Sequence, residues 1–114
     1  MAYIAGFFDG EGSASFVWSK AKNGKRYGKL FAKIAQNDRR ILDWVRRVLG
    51  YGAVYADKPR YKSKTVTHHF VVQSEKARLF LDLVLPYLRV KHRQAIKVLR
   101  LDALHVKRRL PIAA

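Results

Sequence analysis

Nine residues near the start of the chain, Ile4 to Gly12 (IAGFFDGEG), constrain its fold more than any others. An apolar segment with small residues at Ala5 and Gly6 runs into two acids separated by a single glycine. Residues 2 to 9 carry almost no polar face, so a helix made of them is expected to be buried on most sides. Gly10 and Gly12 are poor helix formers and good terminators, which puts Asp9 and Glu11 at the helix end. Taken alone, DGEG would equally suit a surface turn. Beyond it the chain alternates strictly: Ala14, Phe16 and Trp18 on one side, Ser13, Ser15, Val17 and Ser19 on the other. That is the pattern of a strand over 13–19.

The hydrophobic period goes on changing along the rest of the chain. Residues 20–28 (KAKNGKRYG) read as a polar hairpin loop, and a second alternating run sets Leu30, Ala32 and Ile34 against Lys29, Phe31 and Lys33. Asp38 is a suitable N-cap for a helix over 39–49 with an apolar stripe of Ile41, Leu42, Val45, Val48 and Leu49, and Gly50 should end it. Strands are expected over 52–57 and about 65–73, joined by the basic loop KPRYKSK. In the second of these, Phe70 and Val72 suit the core, which turns Thr67, His69 and Val71 outward; a slip by one residue would exchange His69 for His68. Ser74 should cap a helix bearing Ala77, Leu79, Phe80, Leu83 and Val84, Pro86 should close it, and a last helix should cover 91–105. Two hairpins joined through helices make an α+β domain: a mixed or antiparallel four-stranded sheet with helices on one face.

The other face of that sheet would then hold Ser13, Ser15, Val17, Ser19, Lys29, Phe31, Lys33, Tyr55 and Asp57, with Thr67 and His69. It is small, polar or basic, unlike a core. Charge decides what it meets. Lys and Arg outnumber Asp and Glu by 24 to 8 in 114 residues, a formal net charge of +16. Such an excess favours a phosphate backbone, and a sheet face of this kind can lie in the major groove of a duplex. Loop residues Lys20, Lys22, Lys25, Arg26, Arg60, Lys62 and Lys64 would hold the backbone. The basic residues are spread along the chain rather than gathered in one amphipathic segment, there is no apolar run of bilayer length, and no signal peptide precedes the first motif. No membrane partner is therefore expected, and an intracellular setting is. The absence of cysteine excludes disulfides and thiolate metal sites.

A carboxylate beside a polyanion usually needs a divalent cation between them. Asp38, Asp43, Glu75, Asp82 and Asp102 fall at helix starts or within helices, and Asp57 at a strand end, where capping or solvation accounts for them. Asp9 and Glu11 alone sit together at a helix tip. Glu11 is the better ligand, since its side chain can leave the protein body and the Gly10 carbonyl can add a second oxygen. Asp9, nearer the last turn, suits a structural hydrogen bond. One acid per chain is too few for a two-metal site, but Ala5 and Gly6, with Gly10 beyond, would let two copies of the helix cross closely about a two-fold axis. An ordinary packed helix inside one monomer explains the small residues equally well. His68 and His69 are neighbours on a strand and point opposite ways, so a histidine metal cluster is not expected.

The nonapeptide resembles the LAGLIDADG signature of homing endonucleases, with Gly10 and Glu11 departing at its seventh and eighth places. The resemblance continues in order at Gln36, at LGYG (Leu49 to Gly52) and at PYLRVKHRQA (Pro86 to Ala95), covering nearly the whole chain. It implies the αββαββα fold of that family, with a further C-terminal helix and a DNA-binding saddle. It implies a single domain over 1–114 that acts as a homodimer, because the chain shows one motif and no repeat, with Ala5, Gly6, Phe8 and Asp9 at the interface. Glu11 corresponds to the metal-binding acid, for Mg²⁺ or another divalent cation such as Mn²⁺ or Ca²⁺. Gln36 and Lys91 correspond to further active-site residues. Spacing from Gln36 favours Arg40 for the basic residue after it, while the helix pattern leaves Arg39 open. Gln94 also matches, as a DNA-adjacent or structural residue. The implied activity is a double-strand break with 3′ overhangs in a long pseudo-palindromic duplex. The rival class is a non-cleaving binder on the same fold, either a maturase for intron RNA or a DNA-binding regulator. A general basic nucleoid or ribosomal-type protein is a third.

Overall fold

Helix α1, Ala2–Glu11, runs straight into strand β1, Gly12–Lys20, with no loop between them. The computed structural model describes residues 1–58 and 66–109, the last three of these by backbone alone. Strand β2, Arg26–Gln36, returns beside β1 and leads to helix α2, Arg39–Leu49; β3, Ala53–Ala56, and β4, His68–Gln73, come next. Helix α3, Ser74–Val84, a 3-10 turn at Leu85–Tyr87 and helix α4, His92–Arg109, complete the chain. The strands form one antiparallel sheet in the order β1-β2-β4-β3.

Helix α1 is two residues longer than its glycines suggest: it continues through Gly10 to Glu11. Gly12 does not stop it in a left-handed conformation but in an extended one, φ −94°. Its lack of a side chain serves packing instead, because a Cβ there would lie 2.2 Å from the Phe8 ring and 2.6 Å from the Phe8 carbonyl oxygen. The β1–β2 turn is tighter than the expected loop. The Ala21 N–H donates to the Lys25 carbonyl and the Gly24 N–H to that of Ala21, while Gly24 takes φ +81°. Helix α2 has the predicted limits: the Asp38 side chain accepts from the Arg40 N–H, and Gly50 ends the helix in the left-handed region, φ +82°.

Alternation in the strands sorts the sheet into two faces. Ala14, Leu30, Ala32, Ile34, Phe70 and Val72 turn to the helices and are buried. Against them α1 sets Ile4, Ala5 and Phe8, α2 sets Leu42 and Val45, α3 sets Ala77, Phe80, Leu81 and Val84, and α4 sets Ala95 and Val98. The Phe80 ring meets those of Phe8 and Phe70 edge-on, at centroid separations of 5.3 and 6.1 Å.

The structure corrects several expectations. Helix α1 is not covered on most sides: Ala2, Tyr3, Gly6 and Gly10 are open to solvent. Leu79 and Leu83 of α3 face outward, and Leu81 takes the core position between Phe80 and Val84. Val48 of α2 is likewise exposed. Ser74 does not cap α3 with its side chain; it is the first helical residue, held at φ +54° where the strand turns directly into the helix. The strands β3 and β4 are shorter than expected, and Thr65 lies outside the described residues.

Candidate nucleic-acid interface and helix-tip site

The face of the sheet opposite the helices is built in rows across the strands. Ser19 stands opposite Tyr27, Val17 opposite Lys29, and Ser15 opposite Phe31, which pairs onward with Gln73. Ser13, Lys33, Val71 and Ala53 make the next row, and Ala35, His69 and Tyr55 the last. The expected outward residues therefore share one face, and the register of β4 is the one that puts His69 outward. Tyr27 and Gln73 belong to this face as well and escaped the sequence reading, since Tyr27 lay in the presumed loop. The Lys29 ammonium reaches the Gln73 side-chain oxygen at 3.3 Å.

At the edge formed by β3 and β4, His69 Nε2 lies 2.9 Å from an Asp57 carboxylate oxygen, and the Tyr55 ring stacks on the imidazole at 5.1 Å. The Asp57 N–H also donates to the Thr67 carbonyl, continuing the ladder past the strand ends. At the hairpin tip, Lys20, Lys22 and Lys25 are exposed. Arg26 turns instead to the helix side, its guanidinium 5.5 Å from the centre of the Trp18 ring. Arg60, Lys62 and Lys64 lie outside the described residues.

The C-terminal end of α1 is where the chemistry-bearing residues gather. The Asp9 carboxylate accepts backbone N–H groups from Arg89 (2.9 Å), Val90 (3.0 Å) and Lys91 (2.8 Å), fixing the segment between the 3-10 turn and α4. The Val90 N–H, more than any other group, holds the Asp9 carboxyl below its ordinary value. Partial burial opposes this, and the Lys91 and Arg89 N–H groups and the Lys91 charge reinforce it. The Lys91 ammonium donates to the Asp9 backbone carbonyl at 2.5 Å, on the helix end whose dipole favours a cation. Asp9 thus has the structural hydrogen bonds its position suggested, and they are made within its own chain.

Glu11 is two residues further on, exposed, and makes no hydrogen bond or ion pair among the described residues. Its oxygens are the hard donors a divalent cation takes. Among the described residues no three His, Cys, Asp or Glu converge into a metal cage. Gly12 pairs with Ile34, and Gln36 ends β2 two residues, about 7 Å, past that pair. The Gln36 side-chain oxygen accepts the Asn37 N–H at 2.8 Å. Arg40 points into solvent with its guanidinium forked onto Asp38, Nε to Oδ1 at 3.2 Å and Nη2 to Oδ2 at 3.0 Å. That pairing raises the Arg40 pKa and lowers that of Asp38. Arg39 pairs with Asp43 one turn along α2, at 3.5 Å. The structure joins Asp9 and Lys91, with Glu11 two residues past Asp9 along the chain; Gln36 ends β2 and Arg40 lies in the first turn of α2. Gln94 has a structural part, donating to the Ala14 carbonyl at 3.0 Å.

The expected contact surface on α1 requires a correction. Ala5 and Phe8 have no exposed area and face the chain's own core, so they cannot meet a second molecule. The open face is Gly6 and Gly10, one turn apart, where an added Cβ would meet nothing within 4 Å. It is flanked by Tyr3, whose ring meets that of Trp44 edge-on at 5.5 Å. Sequence could not tell the two helix faces apart, because both are made of small and apolar residues.

Several known proteins resemble this chain. A family model described as LAGLIDADG endonuclease matches residues 4–100. A probable intron-encoded endonuclease, Cox1-I1b of Schizosaccharomyces pombe, is 40% identical over 57 residues, 48% of this chain and 15% of that protein. The homing endonuclease I-CvuI, in complex with the I-CreI target in the presence of Mg with the DNA not cleaved, superposes with a TM-score of 0.74 at 25% identity, covering 90% of this chain and 64% of that one. An archaeal intron-encoded homing endonuclease, I-Vdi141I complexed with DNA, gives 0.75 at 24% identity over 92% and 67%. The chain thus spans a small part of its curated relative and about two thirds of these structural ones.

Proposed function

This chain belongs to the LAGLIDADG endonuclease family, and from that we propose that it is a site-specific DNA endonuclease working inside the cell as a homodimer. The observation that carries the reading is Glu11: an exposed carboxylate without a partner among the described residues, at the tip of the motif helix and two residues past Asp9, whose carbonyl holds the Lys91 ammonium, in a chain of charge +16. A carboxylate so placed repels phosphate unless a cation intervenes. Two copies crossing at Gly6 and Gly10 would bring two Glu11 carboxylates and the Gly10 carbonyls together, which supplies the ligands that one chain lacks. Mg²⁺ suits this all-oxygen set, and so do Mn²⁺ and Ca²⁺ as ligands. The bound cation would supply positive charge to the scissile phosphate. The I-CvuI complexes with DNA were obtained with Mg in one case and Ca in another.

The chain's own residues do the rest. The ammonium of Lys91, which donates to the Asp9 carbonyl, would stabilise the negative charge that develops on phosphate oxygens. Gln36 would orient a water through its amide group, whose oxygen already accepts the Asn37 N–H. The guanidinium of Arg40 makes no Nη1 hydrogen bond among the described residues while Asp38 holds the fork, so it could take a phosphate without losing its anchor. Ser13, Ser15, Val17, Ser19, Lys29, Phe31, Lys33, Tyr55, Asp57, Thr67 and His69 lie towards the bases, and Lys20, Lys22 and Lys25 towards backbone. Two saddles related by a two-fold axis fit a long, pseudo-palindromic duplex.

The experiment is selection of cleaved duplexes from a randomised palindromic library, with and without Mg²⁺. Metal-dependent cutting of both strands at one long site is the expected result. Specific binding with no cutting in any divalent metal would replace the endonuclease with a binder on the same fold, and preference for intron RNA over duplex DNA would make it a maturase. Described residues contain no helix long and apolar enough to cross a membrane.

A further inference from the structure

Two side chains of α4 satisfy backbone groups of the β1–β2 ribbon on its opposite edges. Near the start of α4, Gln94 donates to the Ala14 carbonyl; near its end, the His105 Nε2 atom accepts the Gly28 N–H at 3.3 Å. The ladder explains why these two groups are free. The Ala21 N–H donates to the Lys25 carbonyl across the turn, so by alternation the pairs Ser19–Tyr27 and Val17–Lys29 bond to each other. The intervening pairs, Trp18–Gly28 and Ala14–Ala32, turn their backbone groups away from one another. Ala14 lies on the outer edge of the sheet. Gly28 lies on the inner edge of β2, but β4 ends at Gln73, opposite Phe31, and does not reach it. The ribbon beyond Phe31 is unsupported by the rest of the sheet.

His105 fills that gap. It is buried, and its ring meets those of Phe16 and Trp18 edge-on at 5.8 and 5.5 Å. Gly28 has no room for a side chain, since a Cβ would lie 2.2 Å from the Phe16 ring. Three residues before His105, the buried Asp102 is bonded to Arg78 Nε at 2.7 Å, which fixes this part of α4 to α3. The dimensions agree. Gln94 and His105 are separated by about 16 Å of helix, and Ala14 and Gly28 by about 14 Å along the ribbon and 5 Å across it.

We infer that His105 is a positioning residue for DNA reading: its bond to the Gly28 N–H sets the pitch of the outer half of the ribbon, which carries Val17, Ser19, Tyr27 and Lys29 on the saddle face. The inference rests on the endonuclease reading for its DNA half and on geometry alone for its protein half. Gln94 and His105 together make α4 a splint under the ribbon. Without the distal bond the outer base pairs of each half-site are read loosely, while the residues at the tip of α1 are undisturbed.

The test compares His105→Phe, which keeps an aromatic ring but removes the acceptor, with His105→Gln, which returns an acceptor. Amide exchange of the free protein is followed by NMR, with Leu42 and Val45 of α2 reporting on global folding. In His105→Phe the Gly28 amide should exchange about tenfold faster or more, with α2 unchanged and His105→Gln closer to wild type. Selection from the duplex library should then show relaxed preference at the outermost positions only, with the maximal cleavage rate retained. Unchanged Gly28 exchange overturns the inference whatever the DNA results. Faster exchange with base preference intact at every position overturns the positioning role. A wild-type protein with no sequence preference would instead refute the endonuclease reading, and the DNA half of this inference with it.

Discussion

Replacing Asp9 by Asn tests how the motif helix is tied to the rest of the chain. The Asp9 carboxylate receives three N–H groups, Arg89 and Val90 on Oδ2 and Val90 and Lys91 on Oδ1. An amide can offer only one oxygen, so one side of the fork becomes a donor facing a donor. Hydrogen bonds to a charged group contribute about 1.5–3 kcal/mol each. Asn retains one side of the fork, and solvent at this half-exposed site screens the remainder, which holds the net cost to about 2 kcal/mol. For a domain of this size that is a drop of about 8–12 °C in the unfolding midpoint. The charge gives the effect a pH signature. The folded-state pKa of Asp9 is depressed, so its contribution is fully present above the unfolded value of 3.8 and is lost as pH falls through the folded one. Urea unfolding of wild type and Asp9→Asn at fixed protein concentration, from neutral pH to below 3.8, should show a gap that narrows only at the acid end. A variant as stable as wild type at neutral pH, or a gap that does not change with pH, would refute this reasoning.

Other perturbations have equally definite outcomes. Phe80→Ala removes a fully buried ring between Phe8 and Phe70 and should cost about 3–5 kcal/mol in urea unfolding. Gly12→Ala forces a methyl group against the ring and carbonyl of Phe8, and a loss of about 1–3 kcal/mol is expected where α1 meets β1. Gly6→Leu meets open space within one chain, so the monomer should keep its circular dichroism while sedimentation shows the dimer lost. A dimer that survives Gly6→Leu would move the interface elsewhere.

Much of the fold could be read from sequence because local signals and tertiary packing agree. Asp38 and Gly50 bound α2 through a side-chain cap and a left-handed residue, both local chemistry. Alternation put Phe70 and Val72 in the core and His69 outward because one face of the sheet packs against the helices, although Val71, on the opposite face as expected, is buried too. The failures have a common origin in choices that only packing makes. In α3 the leucines at 79, 81 and 83 are chemically alike, and the distance to the sheet alone selects Leu81. Gly10 weakens a helix by propensity, but the pairing of Gly12 with Ile34 lets α1 continue to Glu11 before the strand begins. The two faces of α1 are both small and apolar, so Ala5 and Phe8 could not be distinguished from Gly6 and Gly10. The union of His105 with Gly28, 77 residues apart, carries no local signal. At the site, Asp9 and Glu11 stood out as acids at a helix tip, whereas Tyr27 was hidden by a strand longer than its alternation announced.

The central claim, that Glu11 would hold the cation that DNA cleavage needs, is tested most directly with Glu11→Gln on the duplex selected by wild type. Binding by gel shift and cleavage in Mg²⁺ are measured side by side, with a chelator as control. The expected result is equal binding by both proteins, with both strands cut only by wild type and only with metal. Cutting by Glu11→Gln at the wild-type rate, or tight binding by wild type with no cutting in any divalent metal, would contradict it.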